Sequence, residues 1–349
     1  MISGVASETL IWLSLLIPTV GAILIWLSGK STNLRETITF ATALGLLVVV
    51  ITLLIRVFNG EHPKFTLLEM LPGLNIHFAI EPLGMLFASI ATILWPINSL
   101  YSIGYMRGNQ ENHQTRFYVF FAIAIAAAMG IAFAGNLITL FIFYEVLTLS
   151  TYPLVTHKGD ANAKHGGRIY LGILIATSIG LLLPAIIWTY LLAGTTEFAP
   201  GGILGNNIVG AMLGFLLFLY MYGIGKAALM PIHKWLPSAM VAPTPVSALL
   251  HAVAVVKAGV FSVLKIIVYV FGIDILASAG TADWLLYIAG FTIIVASLIA
   301  LQQDNLKKRL AYSTISQLSY VILGAAILAP ISAVGAALHI AAHLSLIHI

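Results

Sequence analysis

Apolar runs and short polar breaks alternate along almost the whole chain. The runs are about twenty residues long or longer, which is the length that an α-helix needs to cross a hydrocarbon core about 30 Å thick. The pattern predicts ten complete spans and the start of an eleventh at Ile331. The predicted spans cover residues 8–28, 36–58, 82–106, 117–134, 137–156, 169–193, 208–230, 245–272, 284–302 and 310–329.

The longest polar interruption covers residues 59–81, where charged side chains are mixed with apolar ones. Two interpretations stay open for it: a small hairpin outside the membrane, or a cap that lies at the interface. The glycine-rich stretch 194–205 is predicted to be an irregular loop. Since no linker or low-complexity run separates the helices, the sequence predicts one membrane domain.

Composition excludes a soluble protein. Of the 349 residues, 60% are hydrophobic and 8% are charged, whereas a soluble domain carries roughly 25% charged residues. The first apolar run lacks both a basic segment before it and a small-residue cleavage site after it, so we expect it to be retained. The absence of cysteine excludes thiolate metal sites and disulfide bonds. The predicted fold class is all-α, a polytopic membrane protein with about 10–11 transmembrane helices.

The positive charges are distributed unevenly between the turns. Of the 16 Lys and Arg residues, only Arg56 and Lys64 fall in even-numbered turns. The positive-inside bias therefore predicts cytoplasmic odd-numbered turns and an N-terminus outside. The expected location is the inner (plasma) membrane of the cell. The lipid bilayer explains these basic turns, so no nucleic-acid partner is predicted. The odd-numbered turns contain Lys30, Arg35, Arg107, Arg116, Lys158, Lys164, Arg168, Lys234, Lys307, Lys308 and Arg309.

One glutamate stands alone in an apolar run. Glu145 is the only formally charged residue between Phe117 and His157. A charge at the centre of a membrane helix costs about 2.5–3.5 kcal/mol even on the lenient insertion scale, so such a residue usually faces a partner or water. We expect Glu145 to face a cation, for which Lys226 is the best candidate. A purely structural ion pair is the alternative.

A lysine lies beside a cluster of prolines in the seventh predicted span. Pro231 follows Lys226 and removes a helix hydrogen bond, so a break is predicted just past the lysine. Pro237, Pro243 and Pro245 continue the irregular stretch. Broken helices that carry ionisable groups mark ion pathways in transporters. The alternative is a simple proline kink beside a lysine whose ammonium reaches the membrane surface.

The eighth predicted span carries further ionisable groups. His251 and Lys257 are about 9 Å apart along a helix and about 120° apart around it, so a water molecule would have to join them in a relay. A histidine satisfied within the protein core is the alternative for His251. Lys265 lies near the end of the span and is predicted to anchor it at the interface.

Two further histidines, His339 and His343, are spaced to lie on one face of a helix. This spacing suits a metal site, but no glutamate stands between them and no third ligand is evident. A proton-accepting pair is the preferred interpretation, and no metal or cofactor is predicted. The sequence also lacks a glycine-rich phosphate loop and a serine nucleophile elbow.

Two long motifs resemble a known family. Residues 226–251, followed by Lys257 and its neighbours, and residues 306–317 are similar to the proton-translocating subunits that respiratory complex I shares with Mrp-type multisubunit cation/proton antiporters. The similarity extends from about residue 80 to His343. It implies a fold with two inverted five-helix repeats, each forming a half-channel with one broken helix.

The resemblance also implies roles for individual residues. Glu145 matches the family's glutamate on the fifth helix, and Lys226 matches its broken-helix lysine. Lys257 matches the lysine at the centre of the channel, and His251 matches a histidine that some members carry. Spans four to eight would form the first repeat, which is complete in this chain.

These implications give two functional hypotheses, and a scaffold whose charges are only structural is the third alternative. The first is a proton-translocating subunit of a multisubunit monovalent cation/proton antiporter, closest to the D-type subunit in residues 156–159 and 170–174. The second is a pumping subunit of complex I or of an energy-converting hydrogenase. Both imply partner subunits in a membrane assembly and protons as the transported ion, with sodium as a candidate coupling ion. In either case we expect a transporter subunit that performs no covalent catalysis.

The similarity ends abruptly near the C-terminus. The family's next lysine is expected where Ile347 stands, so residues 344–349 are predicted to be a non-native tail and the second repeat to be truncated. The predicted organisation is therefore an N-terminal part (1–112), the first repeat (113–272) and the start of the second (283–343).

Overall fold

The structure, a computed structural model, describes residues 5–71, 74–205, 207–250 and 254–348. Helices make up most of it. In chain order the α-helices are α1 (Ser7–Leu27), α2 (Thr32–Phe58), α3 (Pro82–Gly108), α4 (Gln114–Ala132), α5 (Leu137–Val155), α6 (Ala161–Thr177), α7 (Leu183–Ala193), α8 (Gly210–Gly223), α9 (Trp235–Ser238), α10 (Thr244–Ala248), α11 (Val255–Ile266), α12 (Ile273–Ala279), α13 (Asp283–Leu301), α14 (Leu306–Ala326) and α15 (Pro330–His348).

Helix length and composition make this a membrane protein. Within the described ranges, 7 helices are long and apolar enough to cross a bilayer, counting α6 and α7 as one helix. An eighth joins them if α11 and α12, which meet at a 79° bend, form one span. The all-α polytopic fold is therefore confirmed. The full count of about ten spans stays a prediction, because α8 has only 14 residues and neither α14 nor α15 is among the helices counted.

The helix that contains the sixth predicted span begins before that span. The sequence predicts a span from residue 169, whereas α6 begins at Ala161. The carboxylate of Asp160 accepts a hydrogen bond of 2.6 Å from the backbone N–H of Ala163, which caps this helix start. A π-helical turn, Ser178–Leu182, joins α6 to α7. The helix extends before the predicted span because its cap lies in a polar stretch that hydrophobicity does not mark, and the membrane boundary itself stays a prediction.

The polar interruption after α2 forms two paired strands, as the hairpin interpretation expects, whereas its position relative to the membrane stays a prediction. Strands β1 (Lys64–Leu71) and β2 (Leu74–Ala79) pair antiparallel, with Phe65 opposite Phe78. The turn after α4 extends this pairing, because the backbone N–H of Gly135 donates to the carbonyl of His77 at 2.8 Å. Phe78 is fully buried beneath the hairpin.

The chain folds into two compact units. The first comprises Met1–Gly135, Thr139–His165 and Val241–Ala254, and the second comprises Asn136–Ile138, Gly166–Met240 and Val255–Ile349. In the first unit α1 packs against α2 and α4. In the second unit α11 is central: all of its residues are buried, and it packs against α14 and α15.

Candidate functional site

Lys226 lies in the gap that follows α8. The helix ends at Gly223, and Lys226 sits in a single 3-10 turn, Gly225–Ala227, with its side chain fully buried. The sequence predicts a break just past the lysine, whereas the structure has it before the lysine. The charged group is therefore carried by the non-helical segment itself.

Glycine packing explains the position of the break. A Cβ on Gly223 would lie 2.5 Å from the backbone nitrogen of Leu182, and a Cβ on Gly225 would meet the side chain of Thr177. The π-helical turn and the end of α8 thus approach each other more closely than other residues would allow. Glycine is also a poor helix former, so α8 ends there before Pro231 has any effect.

Side chains form hydrogen bonds with some of the backbone groups that have no helical partner because α8 is broken. Trp235 Nε1 donates to the carbonyl of Gly225 at 2.9 Å, and the hydroxyl of Tyr222 donates to the carbonyl of Met230 at 3.0 Å. The backbone N–H of Met230 donates to Thr292 Oγ1 at 3.4 Å. Because non-helical backbone in an apolar environment needs such partners, these side chains stabilise the segment that holds Lys226.

Lys257 lies on the helix that packs against this segment. It belongs to α11 and is fully buried. Two residues further on, a Cβ on Gly259 would lie 2.7 Å from the carbonyl oxygen of Lys226, so the two backbones are in direct contact. Two buried lysines of the second unit therefore lie on adjoining segments. The Nζ of one of them, Lys257, has no hydrogen-bond partner among the described residues.

The two histidines of α15 lie on one helix face, as predicted. The rings of His339 and His343 are 6.3 Å apart and nearly parallel, at 4°. A ring nitrogen of His339 lies 3.0 Å from Gln317 Oε1 on α14. Helix α15 also packs against α11, the helix that carries Lys257. The second unit thus brings Lys226, Lys257 and the histidine pair into one neighbourhood of packed helices.

Lys265 does not anchor the end of its helix at the interface. It is fully buried, and its ammonium lies 4.6 Å from the ring centre of Phe198 and 5.7 Å from that of Phe261. The anchor prediction was wrong because loop residues cover this end of α11. Within that loop the backbone N–H of Ile203 donates to the carbonyl of Val270 at 2.9 Å, which holds the loop in place.

Glu145 lies on α5 in the first unit. Both of its carboxylate oxygens are shielded from the surface, and neither has a hydrogen-bond partner within the described ranges. Its neighbour Tyr144 is fully buried. Helix α5 is held close to α4, where a Cβ on Gly130 would meet the ring of Phe143. A shielded carboxylate without a protein donor is costly, so Glu145 needs water or a cation.

His251 lies outside the described residues, so its predicted relay role has no structural account. Other residues that shape the site do not stand out in the sequence as functional. Gln317 stands in the second motif, and a polar residue in an apolar helix was the signal that could have singled it out. Trp235 and Gly259 gave no such signal, since a tryptophan near a proline and a glycine in a helix are common in membrane proteins.

A family model matches most of the region that carries these residues. The model, described as "NADH:quinone oxidoreductase/Mrp antiporter, TM", matches residues 134–348. This segment includes Glu145, Lys226, Lys257 and both histidines of α15. It covers more than half of the chain.

Relatives of two kinds are similar to the chain. A probable K(+)/H(+) antiporter protein of Rhizobium meliloti, of the A/B type, is 32% identical over 78% of this chain and 27% of its own length. The chloroplastic "NAD(P)H-quinone oxidoreductase subunit 5" of Chlorokybus atmophyticus is 29% identical over 89% of this chain and 50% of its own length. The chain thus spans half or less of these relatives. Likeness to the D-type subunit stays a prediction, since the antiporter relative is of the A/B type.

Solved structures share the fold. The "Structure of Mrp complex from Dietzia sp. DQ12-45-1b" superposes with a TM-score of 0.79 and 25% identity, over 96% of this chain and 36% of that one. The membrane-bound sulfane sulfur reductase, an archaeal respiratory complex, also gives a TM-score of 0.79, at 22% identity, and shows likeness of fold alone. With the family model and the matching motifs, these findings show that the chain belongs to the NADH:quinone oxidoreductase/Mrp antiporter transmembrane family.

Proposed function

We propose that this chain is a proton-translocating subunit of a multisubunit monovalent cation/proton antiporter, in which Glu145, Lys226, His251 and Lys257 carry the proton. The observation that supports this most strongly is the pair of fully buried lysines on adjoining segments of the second unit. Burying an ammonium is costly and gives no stability that an apolar residue would not give. Such groups are therefore expected where their charge is used.

The break in α8 supports a switching role for Lys226. Burial disfavours the charged form of an amine, whereas a nearby carboxylate favours it. A lysine on a short non-helical segment needs only a small backbone movement to change its surroundings. We infer that Lys226 takes up and releases a proton as its distance from an acidic group changes, with Glu145 as that group. The proton then passes to Lys257 through water and His251.

The histidine pair would continue the path beyond Lys257. His339 lies on α15, which packs against α11, the helix that carries Lys257; it binds Gln317, and its ring is stacked on His343. Imidazoles can accept and pass on a proton near neutral pH. In this proposal the odd-numbered turns face the cytoplasm, and the chain works with partner subunits in the plasma membrane.

A second candidate function has a specific observation in its favour. The similarity to subunit 5 of NAD(P)H-quinone oxidoreductase covers more of this chain than the similarity to the antiporter protein. The chain would then be a non-redox pumping subunit of such an enzyme. The genes beside it discriminate between the two: small antiporter subunits support the first proposal, and flavin or iron–sulfur subunits support the second.

Proton-coupled transport in membrane vesicles that contain the assembled complex tests the relay. We expect Lys226→Met, Lys257→Met and Glu145→Gln each to abolish transport while the protein still inserts, because each keeps the side-chain volume and removes the charge. Lys30→Gln is the control, since Lys30 is exposed in a turn. Transport near the wild-type rate in both lysine variants would overturn the relay.

A further inference from the structure

A polar cavity lies at one end of the first unit, away from the buried lysines. It has a volume of about 190 Å³ and is lined by Glu111, Asn112, His113, His157 and Lys158. The turn between α3 and α4 forms one side and the turn between α5 and α6 forms the other. Both are odd-numbered turns, for which the charge distribution predicts the cytoplasmic side. The relay uses none of these residues.

His157 is the least exposed of the cavity's side chains. It is only 3% exposed, and its ring packs edge-on against Phe117 with 6.1 Å between centres. Neither ring nitrogen has a partner of normal hydrogen-bond geometry among the described residues; the backbone of Asn112 interacts with the ring and raises its pKa, but less than burial and Arg116 lower it. A buried imidazole without a good partner is costly, so its environment is incomplete without a ligand or ordered water.

The charges that act on His157 are positive. Burial, and then the guanidinium of Arg116, lower the pKa of His157 to about 4, with smaller contributions in the same direction from His113 and Lys158. Arg116 also donates a hydrogen bond of 2.8 Å to the carbonyl of His157. The ring is therefore neutral at pH 7 and keeps one N–H donor in a region of positive potential.

The start of α4 adds to this potential. Helix α4 begins at Gln114, directly after the cavity residue His113, and no side chain caps its first turn. The free N–H groups of a first turn carry partial positive charge and favour an anion. Glu111 also lines the cavity, but no carboxylate contributes to the shift of His157 among the described groups.

We propose that this cavity binds a tetrahedral oxyanion through His157 and Lys158. The chemistry required is that of a phosphate group, either a free ion or the phosphate of a lipid headgroup at the cytoplasmic surface. The lysine supplies charge, and the imidazole supplies a directed N–H donor. With about 30 Å³ for each water molecule, the cavity has room for such an ion and some of its water. The bound anion would tie the α3–α4 turn to the α5–α6 turn.

Thermal unfolding of the purified full chain in detergent at pH 7 tests the proposal with phosphate, sulfate and chloride at equal ionic strength. We expect phosphate or sulfate to raise Tm in a saturable way and chloride to leave it unchanged, because a ligand that binds only the folded state stabilises it. His157→Phe keeps the ring packing on Phe117 and should lose the response, as should Lys158→Gln. Lys164→Gln, at an exposed lysine just after the same turn, should keep it.

A separate measurement tests whether the bound phosphate group belongs to a lipid headgroup. Thermal unfolding of the wild type and of His157→Phe is measured in vesicles of phosphatidylglycerol and in vesicles of phosphatidylcholine. A headgroup site is shown if phosphatidylglycerol stabilises the wild type more than it stabilises His157→Phe and phosphatidylcholine does not. Equal responses of the wild type and His157→Phe to every anion and lipid overturn the proposal. If the variants do not fold, imidazole NMR of the wild type decides: a bound anion raises the pKa of His157, and an unchanged titration overturns the site.

Discussion

The backbone of Gly259 lies directly against the backbone of Lys226, with room for no side chain between them. Helix α11 and the broken end of α8 are therefore in contact at the position of the buried lysine. Since Lys257 is two residues before this glycine, the contact also fixes the relative positions of the two lysines. Small residues permit such close approach of membrane helices.

Gly259→Ala should disturb this contact. The added methyl group would meet the carbonyl oxygen of Lys226, and overpacking of a tight contact costs about 1–3 kcal/mol. We expect a lower Tm and a strong loss of transport, because the segment that carries Lys226 must move. Gly290→Ala is the matched control in another helix, since a Cβ there meets nothing within 4 Å. Equal effects of the two substitutions would show that the close approach has no functional importance.

Sequence alone predicts the buried charges of the site but not its backbone. Glu145, Lys226 and Lys257 stand out because a charged residue in an apolar run is costly and usually has a function or a partner. The end of α8 was misplaced because it depends on where Gly223 packs, which is a property of the folded chain. Proline was the visible signal for a break, and glycine packing determined its position.

The location of Lys265 is also determined by the packing of the folded chain and not by its position in the sequence. A lysine near a helix end reaches the surface unless another part of the chain covers it, and only tertiary structure shows that Phe198 does so. The cavity beside His157 was likewise invisible, since its walls come from turns more than 40 residues apart in sequence. Hydrophobic periodicity locates helices well but does not say which turns meet.

The stability of the first unit should fall as the solution becomes acidic, through His157. Its pKa is lowered to about 4, first by burial and then by Arg116. Above the ordinary pKa of about 6.5 both folded and unfolded states are neutral, so the effect is absent. Between about 6.5 and 4 the unfolded state binds a proton that the folded state does not, so the free energy of unfolding falls. Below about 4 the loss is complete and constant.

Unfolding measured from pH 7.5 to 4 in buffer without phosphate checks this prediction. His157→Phe should remove the part of the pH dependence that begins near 6.5, whereas His165→Phe, at an exposed histidine, should keep it. An unchanged pH profile in His157→Phe would contradict the assignment.

Glu36 should be the most sensitive member of a buried charge cluster in the first unit. Its carboxylate accepts hydrogen bonds from Arg35 at 3.3 Å and from Arg107 Nε at 3.0 Å, and Arg35 is only 5% exposed. Removing one member of a buried pair leaves an uncompensated charge, so Glu36→Ala should cost about 3 kcal/mol. Arg107→Ala should cost clearly less, because that side chain is 44% exposed and its charge is screened by water. Denaturant unfolding of both variants measures the difference, and equal costs would contradict it.

Phe198 should stabilise the protein by covering the charge of Lys265. Phe198→Leu leaves the buried ammonium without one of its two aromatic faces, so we expect a loss of stability. Lys265→Met removes the charge and should cost little, and the double variant should be less destabilised than the sum of the two changes. The expected coupling is about 0.5–2 kcal/mol. Phe291→Leu, at an exposed ring, should show no coupling to Lys265→Met.

Transport rates should distinguish the roles of Lys257 and Lys265, the two lysines of α11. About 12 Å of helix rise lies between Lys257 and Lys265, and the ammonium of Lys265 already has the rings of Phe198 and Phe261 as partners. A cation held in this way is poorly placed to exchange a proton, so Lys265→Met should transport at close to the wild-type rate in vesicles. Lys257, which has no hydrogen-bond partner in the described part of the chain, should be essential. Equal losses in Lys257→Met and Lys265→Met would place both lysines on the path, and Phe198 would then cover a conducting group instead of a structural one.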